Sequence, residues 1–559
     1  MKKSKHNKLL VVLTLLPILL NIVSCTHSSE ETKYSEQTYA FHSYSSNYSV
    51  KDTNLTAYTR AGDGATYLDV NSFFTSFDGY MNSSCISTKI EDSKLNVTVS
   101  KDNSNTYISS FDWSNDTIYV SDTAFFTSYV VETNISIYTK NLNVESITRA
   151  TGDASRTFNL KDYGLDIAYT NNKVLVPFDI LNLLFCSQNY FNIYFNGDAF
   201  YGVDSYLKST DSYYENVIKG SKDQTTPSVE FREYNYACLC FAYDNFYGLQ
   251  DYRDVGRKAS TYIEQNSLKD ALLSTDPKTY TEAYYAFYQK ALDDGHTSIL
   301  TPSFYDTTAL TEIDILSYLS TRVLNSNVDK VMLYQTQKKI YGNDSSVPNL
   351  RYINDDTAVL SLTSFQGGNE EQLNSSTPWE YDTYAYMDHY LSEVIEKGCK
   401  NVILDVSING GGLVVAMLKT LGFMTSEPIS QIYHDAFINS YTETKYSVTI
   451  PNSKYRELNY ALLTSNYSFS CGNTIVAIFK SMGIGKIYGR TSGGGMCSVL
   501  PMHLPDGTTL SFSSPSQMQT QDSNGNYHEI ESGITPDVEF KQYSNYYDDE
   551  FLANTITFD

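Results

Sequence analysis

The chain has 559 residues, of which 41% are hydrophobic and 19% charged, as expected for a globular protein with a large buried core. Its formal net charge of -24 at pH 7 repels phosphate backbones and anionic lipid head groups. The composition therefore argues against nucleic acid as a partner.

The N-terminus has the pattern of an export signal. Lysines between Lys2 and Lys8 precede an apolar run from Leu9 to Leu20, which is short for a membrane span. The sequence Ile22-Val23-Ser24-Cys25 follows, and it resembles the lipobox of bacterial lipoproteins. The resemblance implies cleavage before Cys25, lipidation of its sulfur, and a protein anchored by lipid to the extracytoplasmic side of the cell membrane. The alternative is an ordinary secretory signal that contains an unrelated cysteine.

Composition and periodicity divide the chain into successive segments. We predict a signal peptide at 1–24, a polar tether at 25–61, an N-terminal α+β accessory domain at 62–207, a linker at 208–227, a helical segment at 228–300, an irregular connection at 301–350, an α/β core at 351–545 and a tail at 546–559. The cysteines other than Cys25 lack the CxxC spacing and the nearby histidines of a zinc site, and their spacing specifies no disulfide.

The predicted core alternates strands with helices, which is typical of a sheet covered by helices. Its elements are the strands Thr357–Leu362, Asn401–Val406, Ala461–Leu463 and Lys486–Tyr488 and the helices Tyr381–Lys397 and Leu413–Phe423. A glycine turn, Asn409 to Gly412, follows the second of these strands. A hairpin is predicted at Met502–Ser513, with Pro505-Asp506-Gly507 as its turn.

Ser470 stands between a predicted strand and a predicted helix. This position suits a nucleophile, because a helix N-terminus offers free backbone N–H groups to a developing oxyanion. The alternative is that Ser470 only caps the helix, which is the commoner role for such a serine.

A serine nucleophile also needs a base. Of the eight histidines, His296 is the best candidate, because it follows Asp294-Gly295 at the end of a helix, where a side chain can face a cleft. The alternative role for His296 is to offset the dipole of that helix.

Five sequence strings occur in the order and approximate spacing of the S41 peptidases, the tail-specific or C-terminal processing protease family. They are ALDDGHTSIL, NVILDVSINGGGLV, NYSFSCGNTIVAIFKSMG, KIYGRTSGGGM and ESGITPDVEF, and the resemblance extends from Val229 to about Phe540. It implies a serine-type peptidase that acts on polypeptide substrates, with an α/β (α+β) catalytic core of the ClpP/crotonase-like type at 351–545.

The sequence also favours one of the two catalytic arrangements of this family. The tail-specific branch pairs its serine with a lysine in the glycine-rich strand end, but Gly489 to Met496 contains none. Lys480 and Lys486 flank the preceding turn and are expected at the surface. The chain is more similar to the tricorn-core branch, which uses serine, histidine and glutamate.

This resemblance implies roles for individual residues. Ser470 is the nucleophile, His296 the base, and Glu531 the residue that orients His296, with Glu529 as its substitute. The oxyanion hole is expected from the backbone N–H groups of Gly411 or Gly412 and Cys471.

Two positions depart from the tricorn pattern. Gly295 replaces a polar hydroxyl residue before the histidine, so that the fourth member of the tricorn tetrad is either absent or replaced by Thr297 or Ser298. Asn473 stands where an acid is common. Asp405 and Asn409 are interpreted as structural residues that hold the strand end and the glycine turn.

We expect a membrane-tethered serine endopeptidase that cleaves extracytoplasmic polypeptides and needs neither a metal nor an organic cofactor. One alternative is a catalytically inactive S41-like module that binds peptides or chain termini. Another is a solute-binding or adhesive lipoprotein whose front domain is the working part. The intact set Ser470, His296 and Glu531 favours the peptidase. The sequence leaves the oligomeric state open.

Overall fold

The computed structural model describes residues 34–100, 105–133, 139–150, 154–252, 256–311, 313–342 and 347–558. The predicted signal peptide and Cys25 lie outside these ranges. Within them, no helix combines the length and the apolar character that crossing a bilayer requires.

The front of the chain, up to about residue 207, consists mainly of strands. They are β1 (Tyr34–Ser43), β2 (Thr53–Arg60), β3 (Thr66–Asp69), β4 (Ile86–Glu91), β5 (Lys94–Ser100), β6 (Thr106–Asp112), β7 (Thr117–Val120), β8 (Leu142–Ala150), β9 (Arg156–Asn159), β10 (Ala168–Thr170), β11 (Lys173–Pro177), β12 (Phe191–Phe195) and β13 (Phe200–Asp204). Between them lie the short helices α1 (Val70–Ser76), α2 (Phe125–Ser128) and α3 (Phe178–Phe185). This mixture confirms the α+β character predicted for the front region.

Two sheets organise this region. A seven-stranded front sheet has the order β10-β11-β3-β2-β1-β13-β12, and a five-stranded sheet has the order β4-β5-β6-β7-β9. The tether prediction was therefore wrong for residues 34–61, because β1 and β2 pair with each other in the front sheet. Their sequence is polar, yet Phe41, Leu55 and Ala57 are buried, and one apolar face is enough to hold a strand.

The middle of the chain is helical, as predicted. Its helices are α4 (Tyr214–Ile218), α5 (Val229–Phe246), α6 (Ala259–Gln265), α7 (Lys269–Leu272), α8 (Pro277–Tyr284), a π-helical continuation of α8 (Tyr285–Ala291), and α9 (Thr321–Tyr341). Two segment predictions need correction here. The linker at 208–227 contains α4, which buries Val217 and Ile218, and the irregular connection at 301–350 contains α9.

The core contains the remaining elements. They are β14 (Ser298–Thr301), β15 (Leu350–Tyr352), β16 (Thr357–Ser361), β17 (Asn401–Asp405), β18 (Ile429–Asp435), β19 (Ser440–Val448), β20 (Asn459–Thr464), β21 (Ile487–Gly489), β22 (Cys497–His503), β23 (Thr509–Gln521), β24 (Tyr527–Glu529) and β25 (Val538–Glu539), with α10 (Glu370–Leu373), α11 (Thr383–Lys397), α12 (Val414–Met424), α13 (Cys471–Ser481) and α14 (Asp549–Thr555). Strands and helices predicted for the core are confirmed, with ends that differ by a few residues. The hairpin is also confirmed, because β22 pairs with β23 from Met502 and Leu510 outward.

A six-stranded core sheet, in the order β15-β16-β17-β20-β21-β25, carries the candidate site. Its strands from β16 to β25 run parallel. Successive residues of β17 point to opposite faces: Leu404 packs with residues of α11, α12 and α13, whereas Ile403 packs with Leu333 of α9 and Leu552 of α14. Helices therefore cover both faces, and the turns after β17, β20 and β21 meet at one edge of the sheet.

The front and core regions share a sheet. An outer sheet runs β14-β23-β18-β19-β8, with β22 and β24 also paired to β23, so that the front strand β8 forms its edge. Antiparallel pairing joins β8 to β19 from Leu142 and Val448 to Ala150 and Tyr441. A fully buried ion pair between Arg232 of α5 and Asp506 of the hairpin tip, 2.7 Å long, also connects the helical segment to the core.

Candidate active site

Ser470 lies in the turn between β20 and α13, with an unusual backbone conformation. Its φ of 56° and ψ of -122° are strained for a residue that carries a side chain. Its N–H donates to the carbonyl of Gly494 at 2.8 Å. The half-buried side chain makes no capping hydrogen bond, so the N-cap alternative does not account for it. A strained strand-to-helix turn is how hydrolases of the nucleophile-elbow type present their serine.

The glycine turn after β17 packs directly against Ser470. A Cβ atom added to Gly411 would lie 2.9 Å from the Cβ of Ser470. Asn409 holds this turn, because its Oδ1 accepts the N–H of Gly411 at 2.9 Å and its Nδ2 donates to the carbonyl of Leu362 at 3.0 Å. The structural role predicted for Asn409 is confirmed.

Of the three predicted oxyanion-hole donors, the structure leaves two available. The N–H of Gly411 is engaged by Asn409. In the parts of the chain that the structure describes, the N–H groups of Gly412 and Cys471 have no acceptor. Cys471 begins α13, where unpaired N–H groups and the helix dipole favour a negative charge.

Cys471 itself is not suited to act as a nucleophile. Its side chain is buried, and its S–H donates to the carbonyl of Gly412, with 3.1 Å between sulfur and oxygen. Burial raises the pKa of the Cys471 thiol to about 12. The reactive thiolate is therefore scarce at neutral pH.

His296 reaches the site from the end of the helical segment. The π-helical continuation of α8 ends at Ala291, and Asp293 then adopts a positive φ of 48° that turns the chain. The carboxylate of Asp294 accepts the N–H of His296 at 3.0 Å and the hydroxyl of Thr297 at 2.6 Å. The residues around the histidine are thus fixed by Asp294 and by the pairing of β14 with β23.

The imidazole of His296 is buried, with 8% of the residue exposed. Its ring centroid lies 4.6 Å from that of Phe469, the residue before the candidate nucleophile. Neither ring nitrogen has a hydrogen-bond partner among the described residues. Burial lowers the pKa of His296 to about 4, against the opposing charge of Asp294 and aided by that of Arg322. A neutral imidazole does not offset a helix dipole but can accept a proton.

Glu531 is not joined to His296 in the structure. Its carboxylate forms an ion pair with Arg322 and accepts the N–H of Met496 at 2.7 Å. Burial raises the pKa of Glu531, and the Arg322 guanidinium opposes this effect. Glu529 accepts the N–H of Glu531 at 2.7 Å, so it supports Glu531 and not the histidine.

Arg322 is the residue that sequence reasoning missed. It lies in the first turn of α9, and its Nη2 also donates to the carbonyls of Glu531 and Gly493, at 2.8 and 2.9 Å. Its guanidinium carbon lies 5.6 Å from the ring centre of Phe469. The side chain therefore connects α9, the glycine-rich strand end and the turn of the nucleophile. The sequence feature that could have indicated the start of α9, and with it Arg322, is the helix N-cap Ser320. Its side chain accepts the N–H of Val323.

The two departures from the tricorn pattern have structural reasons. A Cβ atom on Gly295 would lie 2.7 Å from Cζ of Phe469, so a hydroxyl residue does not fit there. Asn473 is buried, donating to the carbonyl of Ile530 at 2.9 Å and accepting the hydroxyl of Ser492 at 2.7 Å. Asn473 thus ties α13 to neighbouring turns. Within the described ranges, no group of three or more His, Cys, Asp or Glu side chains could hold a metal ion.

Residues 356–540 match the sequence profile of Peptidase family S41. This part of the chain is an S41 peptidase region. For this part of the chain, the match confirms the resemblance to the S41 peptidases that was found in the sequence. Ser470, Glu531 and the glycine turn lie inside the S41 region, whereas His296 and Arg322 precede it. No curated protein matches the sequence of the chain.

The solved structures that match part of the chain include the following three. A candidate peptidase from Parabacteroides merdae ATCC 43184 is 18% identical, over 55% of this chain and 89% of that chain, with a TM-score of 0.40. A lipoprotein from Streptococcus agalactiae is 18% identical, over 59% and 98%, with a TM-score of 0.35. The photosystem II D1 C-terminal processing protease is 19% identical, over 33% and 42%, with a TM-score of 0.26. The chain thus spans less than half of this last protein.

Proposed function

We propose that the protein is a membrane-tethered serine endopeptidase that cleaves extracytoplasmic polypeptides, with Ser470 as the nucleophile and His296 as the base. The observation that carries this proposal is the strained, uncapped backbone of Ser470 at the start of α13. Strain of about 1–3 kcal/mol is retained where it serves a function. Two unpaired N–H groups, of Gly412 and Cys471, support the same assignment.

The proposed reaction is an acyl transfer followed by hydrolysis. Oγ of Ser470 attacks the scissile carbonyl carbon while its proton passes to His296, and the N–H groups of Gly412 and Cys471 donate hydrogen bonds to the oxyanion. The C–N bond then breaks, and His296 returns the proton to the leaving amine. A water molecule next attacks the acyl-enzyme, gives a proton to His296, and releases the carboxylic acid while Ser470 recovers its hydrogen.

The position of His296 implies that the site changes conformation before the reaction. Burial favours the neutral form of His296, which a base must have, but its ring lies against Phe469 and has no hydrogen-bond partner among the described residues. A bound substrate that moves Phe469 would let the imidazole approach Oγ of Ser470, as apo sites often tighten on binding. Glu531 then acts through Arg322 and Met496, holding the glycine-rich strand end, and not as the partner of the imidazole.

A second candidate function is peptide binding without catalysis. It is favoured by the two unpaired ring nitrogens of His296 and by the engagement of Glu531 with Arg322. A site in this condition retains the cleft and the oxyanion donors but lacks the connected proton acceptor that the reaction needs.

Labelling with a fluorophosphonate distinguishes the two functions. We expect the purified chain to be labelled at Ser470, with loss of labelling in Ser470→Ala and a large reduction in His296→Ala. Ser481→Ala, on the last turn of the same helix, is the matched control and should be labelled like the unchanged chain. Equal labelling of the unchanged chain and Ser470→Ala, or no labelling of either, would contradict a catalytic Ser470.

The tether requires a separate experiment. We expect the chain expressed with its N-terminus to fractionate with membranes and to carry a lipid on Cys25, detected as the mass of the N-terminal peptide. Cys25→Ser should move the protein to the soluble fraction without changing fluorophosphonate labelling. Membrane fractionation that persists unchanged in Cys25→Ser would contradict a lipid anchor.

A further inference from the structure

A cavity of about 280 Å³ lies between the segment that follows β16 and the start of α11. We propose that this cavity, called here the β16 pocket, binds a neutral saccharide. None of the residues that line it belongs to the turn of Ser470 or to the glycine turn after β17. The inference therefore goes beyond the proposed function and does not depend on whether Ser470 reacts.

One wall of the β16 pocket is the extended segment that continues from β16. Its residue Phe365 is buried in the core, and the N–H of Phe365 donates to the carbonyl of Gly411 at 3.0 Å. Successive side chains of an extended segment point to opposite sides, so Ser364 and Gln366 face the pocket. The pocket thus lies on the side of this segment opposite the Phe365 ring, and the opposite wall is formed by residues at the start of α11.

The volume of the pocket suits one sugar unit. A cavity of about 150 Å³ accepts a benzene molecule, and a hexose has roughly twice as many non-hydrogen atoms as benzene. A cavity of 280 Å³ therefore accommodates one hexose ring. Thr363, Gln366 and Glu380 of the walls are exposed, so the pocket opens to solvent and leaves room for a longer saccharide.

Trp379 supplies an aromatic surface at the pocket. The imidazole of His389 covers one face of the indole, with 3.9 Å between the ring centroids and 3° between the ring planes. The other face and the N–H edge of the half-buried indole remain to line the pocket. A sugar ring has C–H groups on its faces, which pack on an indole, and hydroxyl groups around its rim, which need polar partners.

The remaining walls offer polar atoms that are not fully engaged. The buried hydroxyl of Ser361 has no partner among the described residues. Gln366 donates through Nε2 to Oγ of Ser364 at 2.8 Å, which leaves Oε1 as an acceptor. Asn349 donates through Nδ2 to the hydroxyl of Tyr390 at 2.8 Å, which leaves Oδ1 as an acceptor. Sugar hydroxyls both donate and accept hydrogen bonds, so they match this mixture.

The charges at the pocket favour a neutral ligand. No lysine or arginine lines it in the described ranges, so an anion would have no counter-ion there. The Asp382 carboxylate is already engaged, because it accepts the N–H of Ala385 at 2.9 Å and that of Gly368 at 3.3 Å. Glu380 is exposed, and its carboxylate can accept a hydrogen bond from a sugar hydroxyl.

An organic ammonium ion is the main alternative ligand, because such ions bind in cages of aromatic faces. The pocket has no such cage among the described residues. The Tyr386 ring packs edge-on against Tyr390, with 4.7 Å between the centroids, and its hydroxyl donates to the carbonyl of Ser361. The uncovered face of Trp379 is thus the main aromatic surface, which suits a flat sugar ring better than a cation that must be surrounded.

Tryptophan fluorescence tests the proposal directly. The chain has two tryptophans, Trp113 and Trp379, so Trp113→Phe leaves Trp379 as the reporter. The Trp113 ring stacks on Tyr169 in the front region, where phenylalanine retains a ring. The full chain with this change is titrated at constant pH with glucose, galactose, mannose, N-acetylglucosamine, cellobiose and diacetylchitobiose, and separately with glucuronate and choline.

We expect a saturable change in Trp379 emission with at least one neutral sugar. The dissociation constant for that sugar should be at least tenfold lower than those for glucuronate and choline. Calorimetric titration of the unchanged chain should give the same value for the sugar. The absence of saturation with every neutral sugar overturns the proposal, and tighter binding of choline or glucuronate overturns the assignment of a neutral ligand.

Variants locate the bound sugar. Gln366→Ala removes an acceptor from the pocket wall and should raise the dissociation constant at least tenfold. Gln335→Ala, at an exposed position of α9, is the matched control and should bind like the parent chain. Equal binding by Gln366→Ala and the parent chain would mean that the sugar binds elsewhere. Ser470→Ala should bind the sugar unchanged, so a failure of the proposed peptidase is distinguishable from a failure of this site.

Discussion

The ring of Phe469 covers the imidazole of His296, with 4.6 Å between their centroids. The residue before the candidate nucleophile therefore excludes water from the candidate base. This contact connects two segments that are far apart in the chain, since His296 precedes the S41 region and Phe469 lies within it. Removing the Phe469 side chain separates the effect of burial on the pKa of His296 from the effects of the neighbouring charges.

We expect Phe469→Ala to raise the pKa of His296 from about 4 toward its ordinary value of 6.5, because burial is the largest cause of the lowered pKa. The measurement is an NMR titration of His296 in isotopically labelled protein. Phe437→Ala, which removes a ring that packs on Arg156 instead, is the control and should leave the titration unchanged. A His296 pKa that stays near 4 in Phe469→Ala would show that the ring does not cause the burial.

The same shift makes the stability of the protein depend on pH. A histidine whose pKa is lower in the folded state binds a proton more readily when unfolded, so its contribution is complete above pH 6.5 and is lost as the pH falls toward 4. The difference between a pKa of 6.5 in the unfolded chain and about 4 in the folded protein corresponds to about 3 kcal/mol of unfolding free energy.

Urea unfolding at pH 7 and pH 4 measures this contribution. The loss of unfolding free energy between the two pH values should be about 3 kcal/mol larger for the unchanged protein than for His296→Gln, which cannot titrate. Carboxylates that do not interact with His296 titrate equally in both proteins and cancel in the comparison. Equal losses in the two proteins would contradict a buried neutral imidazole.

The strained backbone of Ser470 should lower the free energy of unfolding of the protein. Glycine adopts a positive φ without the strain that a side chain imposes, so Ser470→Gly is expected to raise the free energy of unfolding by about 1 kcal/mol. Ser470→Ala keeps a Cβ atom and should not gain this stability. Chemical denaturation of both variants checks the difference, and both should lose fluorophosphonate labelling. Stabilisation of equal size in the two variants would indicate that the backbone is not strained.

The sequence predicted the parts of the site whose chemistry is local. The strand-to-helix turn at Ser470 and the glycine turn at Gly411 and Gly412 follow from short patterns, and the structure places both turns together at one edge of the core sheet. His296 was located by its place at a helix end, which the structure confirms.

The remaining parts depend on contacts that sequence patterns do not encode. Helix α9 escaped prediction because Leu324, Val328 and Val331 are exposed, so the apolar positions do not follow its buried face. Arg322 was consequently missed, and without it the partner of Glu531 could not be inferred. The strands of residues 34–61 escaped because their few buried side chains lie in a stretch of serine, threonine and tyrosine.

The buried ion pair of Arg232 and Asp506 predicts a large loss of stability when one partner is removed. Both side chains are completely buried, and Asp506 also accepts the hydroxyl of Tyr284 at 2.7 Å. Arg232→Met should lower the free energy of unfolding by about 3–5 kcal/mol, because it leaves a carboxylate buried without its counter-ion.

The control for this pair is an ion pair at the surface. Arg257 and Asp251 have side chains that are 61% and 69% exposed, and Arg257→Met should change the free energy of unfolding by less than about 1 kcal/mol. The double variant Arg232→Met with Asp506→Leu should lose less stability than the sum of the two single variants, since no unpaired charge remains buried. The guanidinium carbon of Arg232 also lies 3.7 Å from the ring centre of Tyr280. If the stability losses of the two single variants add up to that of the double variant in urea unfolding, Arg232 contributes through packing on Tyr280 and not through its charge.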